Sequence, residues 1–182
     1  MNTHAFLRTR VATQQCGPQG SAFAEPQDSR DERLGRVGGL DDLYQEIILD
    51  HYRRRRNEGA LDAPSVAVDH NNPLCGDEVH LELLIENGQV ADVRHSGEGC
   101  SISQAAASMM SEAAKGLPLD DALALTEHFR LVMHGQEGAD EDRLGDAIAL
   151  EGVAKYPVRV KCALLGWMAL KDAIETYRRN GS

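Results

Sequence analysis

The sequence predicts an α+β domain in which helices pack a three-stranded antiparallel sheet. Three observations support this fold: apolar and polar residues alternate over 79–85, Asn87-Gly88 follows directly, and longer flanking stretches repeat apolar residues every three or four positions. Alternation is typical of a half-buried strand, and Asn-Gly between two such runs is the strongest short hairpin signal. Helices are therefore expected to cover one face of the sheet.

Size and charge limit the classes of function. A chain of 182 residues with 42% hydrophobic residues is long enough for one domain with its own core. Its net charge of -10 disfavours a nonspecific nucleic-acid or anionic-membrane surface. No apolar run approaches the roughly 18 to 20 residues of a membrane helix. We expect a cytoplasmic protein with neither nucleic acid nor a membrane as its partner.

Residues 1–39 lack any sustained hydrophobic period and are rich in polar and charged residues. Such a segment buries too little apolar surface to offset the entropy lost on ordering. We therefore expect a disordered extension over 1–39, with Cys16 as an incidental thiol, and a folded domain over 40–182.

The first helix is expected to begin near Leu40 and to end within an arginine-rich run, 53–57. Its apolar face carries residues at helical spacing, namely Leu43, Tyr44, Ile47, Ile48 and His51. Four consecutive arginines are more typical of a helix end, where cations complement the dipole, than of a nucleic-acid site. A docking surface for an acidic partner is the alternative interpretation.

The remaining elements follow from the same patterns. Strands are expected over 65–70, 79–85 and 90–93, and helices over 101–116, 119–133 and 162–179. Residues 134–146 carry three glycines and five acids, which predicts a surface loop.

The candidate functional residues are three cysteines and one aspartate. Cys75 and Asp77 flank Gly76, and alternate side chains of an extended segment point to the same side. Cys100 follows a Gly-Glu-Gly turn and is expected at a helix N-terminus, and Cys162 is expected to open the last helix, where the dipole favours a thiolate. Three thiolates and a carboxylate suit tetrahedral zinc.

The spacing of these residues does not by itself establish a metal site. Four cysteines are too few and too irregularly spaced for a disulfide framework, and the sequence contains no Cys-x-x-Cys pair. Free cysteine is often a small buried hydrophobe, which is the alternative interpretation of Cys100 and Cys162.

Several motifs together resemble the IscU/NifU-like superfamily and specifically its SufU branch, over about residues 40–175. They comprise Asp50-His51-Tyr52, the Asn71 to Asp77 stretch, the Gly97 to Ser103 stretch, Met109-Met110, and the Arg159 to Ala163 stretch. Scaffold proteins resembling IscU have a histidine where Lys161 stands, and the acidic segment 134–150 looks like the insertion typical of SufU members. Both features favour the SufU branch.

The resemblance implies a fold, a cofactor and a partner. Members have an α/β sandwich-like domain whose three cysteines and one aspartate hold zinc or an assembling cluster. SufU-like members are zinc-dependent sulfurtransferases that accept a persulfide from the pyridoxal-phosphate cysteine desulfurase SufS, upstream of an iron-sulfur scaffold. The resemblance further implies that Cys75 leaves the zinc when the desulfurase docks and supplies a histidine, while Asp77, Cys100 and Cys162 keep the metal. Arg159 is then a candidate for stabilising the released Cys75 or for contacting the desulfurase.

Two other functions remain open at this point. The same ligands suit a scaffold that assembles a [2Fe-2S] cluster, because thiolates bind both zinc and iron-sulfur centres. A non-enzymatic desulfurase adaptor with purely structural zinc is the second alternative.

Overall fold

The computed structural model describes residues 39–181. The extension expected over 1–39 lies outside these residues, apart from Gly39, and it stays a prediction. Within the described part of the chain, no helix is long and apolar enough to cross a membrane.

The described residues form four helices, three strands and a 3₁₀ segment. In chain order they are α1 (Leu40–Arg54), β1 (Val66–Asn72), β2 (Asp77–Glu86), β3 (Gln89–Ser96), α2 (Ser101–Ala114), α3 (Leu119–Met133), the 3₁₀ segment (Glu141–Lys155) and α4 (Pro157–Asn180).

The sheet is antiparallel throughout, with strand order β1-β2-β3. Asn87 and Gly88 connect β2 to β3 with positive φ angles of 52° and 74°, the conformation that favours this residue pair in tight hairpins. One face of β2 is buried and carries Val79, Leu81, Leu83 and Ile85. The predicted α+β fold and its hairpin are therefore confirmed.

Helices α2 and α4 pack closely against each other and against the sheet. A Cβ atom on Gly166 would lie 3.2 Å from the Cα of Ala107, so the two backbones approach where neither residue carries a large side chain. At the next residue of α4, the Trp167 ring stacks on Phe129 of α3 with centroids 4.4 Å apart. Helix α4 is thus the central helix of the core.

Three sequence-based expectations about the elements are wrong. Helix α4 begins at Pro157 rather than Cys162, because proline is well suited to the first helical turn. The loop expected over 134–146 gives way at Glu141 to the 3₁₀ segment, whose apolar residues enter the core, including Leu144, Ala147, Leu150 and Val153. Leu43 is 53% exposed and does not belong to the buried face of α1.

Three arginines of the run at the end of α1 pair with neighbouring acids. Arg54 and Arg56 both contact Asp50, and Arg55 pairs with Glu58. Helix α1 ends at Arg54, and Arg55 takes the left-handed conformation with φ 40°. These contacts favour the interpretation of the run as a helix end.

Candidate metal centre

Cys75 lies in the tight turn that joins β1 to β2, not in an extended segment as the sequence suggested. The backbone N–H groups of Cys75 and Gly76 both donate to Asn72 O, at 3.2 and 2.9 Å. Gly76 has φ 72°, a left-handed conformation that glycine adopts without strain. The turn leaves Cys75 exposed, whereas Asp77 begins β2 and is buried.

Cys100 occupies the N-cap position of α2, at the helix N-terminus as predicted, and contacts Asp77. Its backbone N–H donates to Asp77 Oδ1 at 3.0 Å, and its Sγ lies 3.4 Å from Asp77 Oδ2. This approach needs a glycine before Cys100, because a Cβ on Gly99 would lie 3.0 Å from Asp77 Cγ and would collide with Ser103 Oγ. The carboxylate therefore joins the β1-β2 turn to the start of α2.

Cys162 enters the site from within α4. It lies one turn after the start of the helix, so it lacks the N-terminal position expected from the sequence. Its buried Sγ is 3.4 Å from the Sγ of Cys75. Ligand atoms of Cys75, Asp77 and Cys162 all lie within 4.8 Å of one another, a separation that one metal ion could bridge.

The thiols and the carboxylate influence each other's protonation. Burial raises the pKa of Asp77, but hydrogen bonds from the Cys162 thiol, the Cys100 backbone and the other two thiols outweigh it and lower this pKa overall. Burial and the neighbouring carboxylate raise the pKa of the Cys162 thiol far above its ordinary value. In the absence of a cation, Asp77 is therefore ionised and the Cys162 thiol is protonated at neutral pH.

Two polar residues for which the sequence suggested no role, Ser103 and Gln104, support the backbone around Cys100. Ser103 Oγ donates to Cys100 O at 3.0 Å, and Gln104 Nε2 donates to Gly97 O at 3.2 Å. Both side chains are buried. The sequence signal for these hydrogen bonds was their position three and four residues after Cys100. Side chains in the first turn of a helix often bond the preceding backbone.

The structure places the Arg159 side chain beside Tyr156. Its guanidinium lies over the ring of Tyr156, 5.6 Å from the ring centroid. Both residues line a groove of about 470 Å³ whose other side is formed by α1, with Tyr44 and Ile48.

Exposed apolar side chains lie next to the site in sequence. Leu74, beside Cys75, is 68% exposed, and Val158 is 64% exposed. Val158 belongs to the turn of α4 that precedes Cys162, and its carbonyl oxygen is 3.8 Å from the Cys162 Sγ. Leu74 and Val158 therefore place exposed apolar surface close to Cys75 and Cys162 along the chain.

The donor set is chemically suited to a thiophilic metal. Cys75, Asp77 and Cys162 supply three clustered donors, and Cys100, an exposed thiol in contact with Asp77, lies outside that cluster. Thiols and a carboxylate are donors of the kinds found in tetrahedral zinc sites. The same thiols suit an iron-sulfur cluster, so the ligand types admit either group.

Comparison with known proteins gives one family. A family model described as the NifU-like N-terminal domain matches residues 43–163. Zinc-dependent sulfurtransferase SufU from Bacillus subtilis (strain 168) is 47% identical over 135 residues, which cover 74% of this chain and 91% of the relative. The iron-sulfur cluster assembly scaffold protein IscU from Streptococcus pyogenes serotype M1 is 42% identical over 136 residues, which cover 75% of this chain and 85% of the relative.

Solved structures agree with the sequence comparison. A candidate iron-sulfur cluster assembly scaffold protein for the SUF system from Fervidobacterium islandicum AW-1 has a TM-score of 0.69 and 35% identity, covering 75% of this chain and 99% of that one. A NifU-like protein (N-terminal) from Brucella abortus has a TM-score of 0.70 and 27% identity, and the match covers 77% of this chain and 97% of that one. The family model spans well over half of the chain, and the resemblance drawn from the motifs is confirmed: the chain belongs to the NifU-like N-terminal domain family.

Proposed function

We propose that this protein is a zinc-dependent sulfurtransferase that accepts persulfide sulfur from a SufS-type cysteine desulfurase for iron-sulfur cluster assembly. The observation that carries the proposal is the unequal exposure of the clustered donors. Cys75 is exposed on a turn, whereas Asp77 and Cys162 are buried on regular elements. Cys100 is also exposed, but its backbone N–H and its thiol are both hydrogen-bonded to Asp77. One thiol can therefore meet another protein while the other two donors remain in place. The 47% identical relative named as a zinc-dependent sulfurtransferase supports this reading.

In this proposal Cys75, Asp77, Cys100 and Cys162 are the metal ligands. Zinc bound there would keep its coordinating thiols deprotonated. The chain holds these donors differently. Asp77 accepts hydrogen bonds from both the backbone N–H and the thiol of Cys100, whereas Cys75 lies on the exposed turn.

The transfer step moves one sulfur atom between two cysteines. The Cys75 thiolate attacks the outer sulfur of the persulfide on the desulfurase cysteine, and a new S–S bond forms at Cys75 Sγ. The S–S bond of the donor breaks, and its electron pair leaves on the donor cysteine as a thiolate. The outer sulfur keeps its proton, and the step needs no external oxidant or reductant. The carried sulfur then passes to an iron-sulfur scaffold.

The exposed apolar side chains and Arg159 support docking of the desulfurase at this end of the molecule. Leu74 and Val158 supply apolar surface, and Arg159 supplies a cation beside them. Replacing Arg159 with alanine should raise the KM for the desulfurase several-fold and leave zinc content unchanged, because Arg159 contacts Tyr156 rather than the thiols. An unchanged KM would remove Arg159 from the docking surface.

The direct test of the acceptor is Cys75→Ala in a desulfurase turnover assay. We expect stimulation of the desulfurase to disappear, and wild-type turnover would refute the proposal. Replacing both Cys100 and Cys162 with alanine is the complementary test of the ligands, and one tightly bound zinc in that double variant would refute the proposed site.

A scaffold for a [2Fe-2S] cluster is the second candidate, and the relatives named as IscU scaffolds favour it. Metal analysis and a visible spectrum of protein purified without oxygen separate the two. A colourless protein with about one zinc per chain is the result expected for sulfur transfer. If desulfurase stimulation survives loss of Cys75 and zinc stays bound, a non-enzymatic adaptor is the better description.

A further inference from the structure

Asn72 makes most of the hydrogen bonds that hold the Cys75 turn. It is the last residue of β1, and it lies opposite Asp77 in the strand register. Its backbone oxygen accepts the N–H groups of Cys75 and Gly76, and the same oxygen lies 3.9 Å from Cys75 Sγ. Its side-chain Oδ1 accepts the N–H of Leu74 at 3.2 Å. Three successive N–H groups of the turn therefore end on one residue.

The amide nitrogen of the Asn72 side chain lacks a hydrogen-bond partner among the described residues. Asn72 is only 7% exposed, and its Nδ2 atom is buried without a hydrogen-bond partner among the described residues. Burying an amide donor without an acceptor destabilises the folded state. The unpaired Nδ2 group of Asn72 therefore lowers the stability of the fold. The hydrogen bond from the Leu74 N–H to Oδ1 is the favourable contact that this side chain makes.

We propose that Asn72 is a positioning residue for sulfur transfer, which rests on the function proposed above. Asn72 fixes the turn so that Cys75 Sγ stays at the surface in one orientation, while Asp77 is anchored separately through Cys100. Nucleophilic attack on a persulfide needs the sulfur atoms in line, and small misplacements of reacting atoms lower rates strongly. Asn72 thus acts through Cys75 and does not itself touch the transferred sulfur.

The test compares Asn72→Ala with Asn72→Ser in the full-length, zinc-loaded protein. Alanine removes the Oδ1 acceptor, whereas a serine hydroxyl can bond the N–H two residues later, though more weakly. We expect Asn72→Ala to lower the maximal rate of desulfurase stimulation about tenfold, the effect of losing roughly one hydrogen bond in the transition state. The KM for the desulfurase and the zinc content should remain at their wild-type values, and Asn72→Ser should restore a large part of the rate.

A second measurement reports on the turn independently of activity. Amide hydrogen exchange at Leu74 should be faster in Asn72→Ala than in the wild type, with Asn72→Ser between the two. A wild-type maximal rate in Asn72→Ala would overturn the proposal. A loss of zinc or of Tm that parallels the loss of rate would also overturn it, because Asn72 would then be structural.

Running Cys75→Ala beside these variants separates this inference from the proposed function. Persistent stimulation in Cys75→Ala would refute the function itself. Loss of stimulation in Cys75→Ala together with full activity in Asn72→Ala would refute only the role of Asn72.

Discussion

Asp77 is the residue that joins the separate loops of the site. It begins β2, directly after the Cys75 turn, and its carboxylate accepts hydrogen bonds from the backbone and thiol of Cys100. These contacts, together with the Cys162 thiol, lower its pKa in spite of burial. The carboxylate is therefore ionised at neutral pH and contributes a negative charge that favours a cation among the thiols.

The tight packing of Gly99 against Asp77 leads to a prediction at the residue scale. Gly99→Ala should weaken zinc affinity about tenfold or more, as losses in groups that orient metal ligands usually do, because the added methyl group would displace Asp77 or Ser103. Competition with a chromogenic chelator measures the affinity.

Gly152→Ala is the matched control for Gly99→Ala. A Cβ on Gly152 would have no heavy atom within 4 Å, so this variant should bind zinc like the wild type. Equal affinity in the two variants would show that Gly99 does not constrain Asp77.

At the scale of elements, the position of Cys162 depends on how closely α2 and α4 pack. Cys100 begins α2 at its N-cap and Cys162 lies in the second turn of α4, so the spacing of these helices sets the distance between the two thiols. Gly166 lies one turn beyond Cys162 and faces Ala107 of α2. The helix contact and the metal site therefore share one stretch of α4.

Replacing Gly166 with valine should separate the helices. We expect a loss of about 1 to 3 kcal/mol in the free energy of unfolding, the usual cost of overpacking a core, measured by urea denaturation. Intrinsic helix propensity alone predicts the opposite sign, because valine favours a helix more than glycine does. Gly152→Val makes the same exchange at an exposed position where a Cβ would have no heavy atom within 4 Å, and it should change stability little. A stabilised Gly166→Val protein would contradict the close packing.

At the scale of the whole molecule, the sequence predicted the fold because its strongest patterns are local. Alternation along β2 and the Asn87-Gly88 turn depend on neighbours in the chain, and both predictions are confirmed. The motifs also identified the family correctly. Cys75, Asp77 and Cys162, separated by up to 87 positions, come together in the structure, although their role as ligands stays a prediction.

The errors concern features that depend on tertiary contacts. Helix α4 was predicted to begin at Cys162, but the segment after Pro157 is already helical and packs Val160 into the core. Segment 134–146 looked like a loop because of its charge, and burial of Leu144 overrides that composition. Arg159 lies over the Tyr156 ring, and its role in stabilising Cys75 or contacting the desulfurase stays a prediction.

The location of the transferred sulfur tests the central claim most directly. The zinc-loaded protein is incubated with a SufS-type desulfurase and cysteine, and its peptides are examined by mass spectrometry under conditions that preserve persulfides. The account predicts one added sulfur atom on Cys75, with Cys100 and Cys162 unmodified and no added sulfur in Cys75→Ala. Added sulfur on Cys100 or Cys162, or an unmodified Cys75 during full desulfurase turnover, would contradict it.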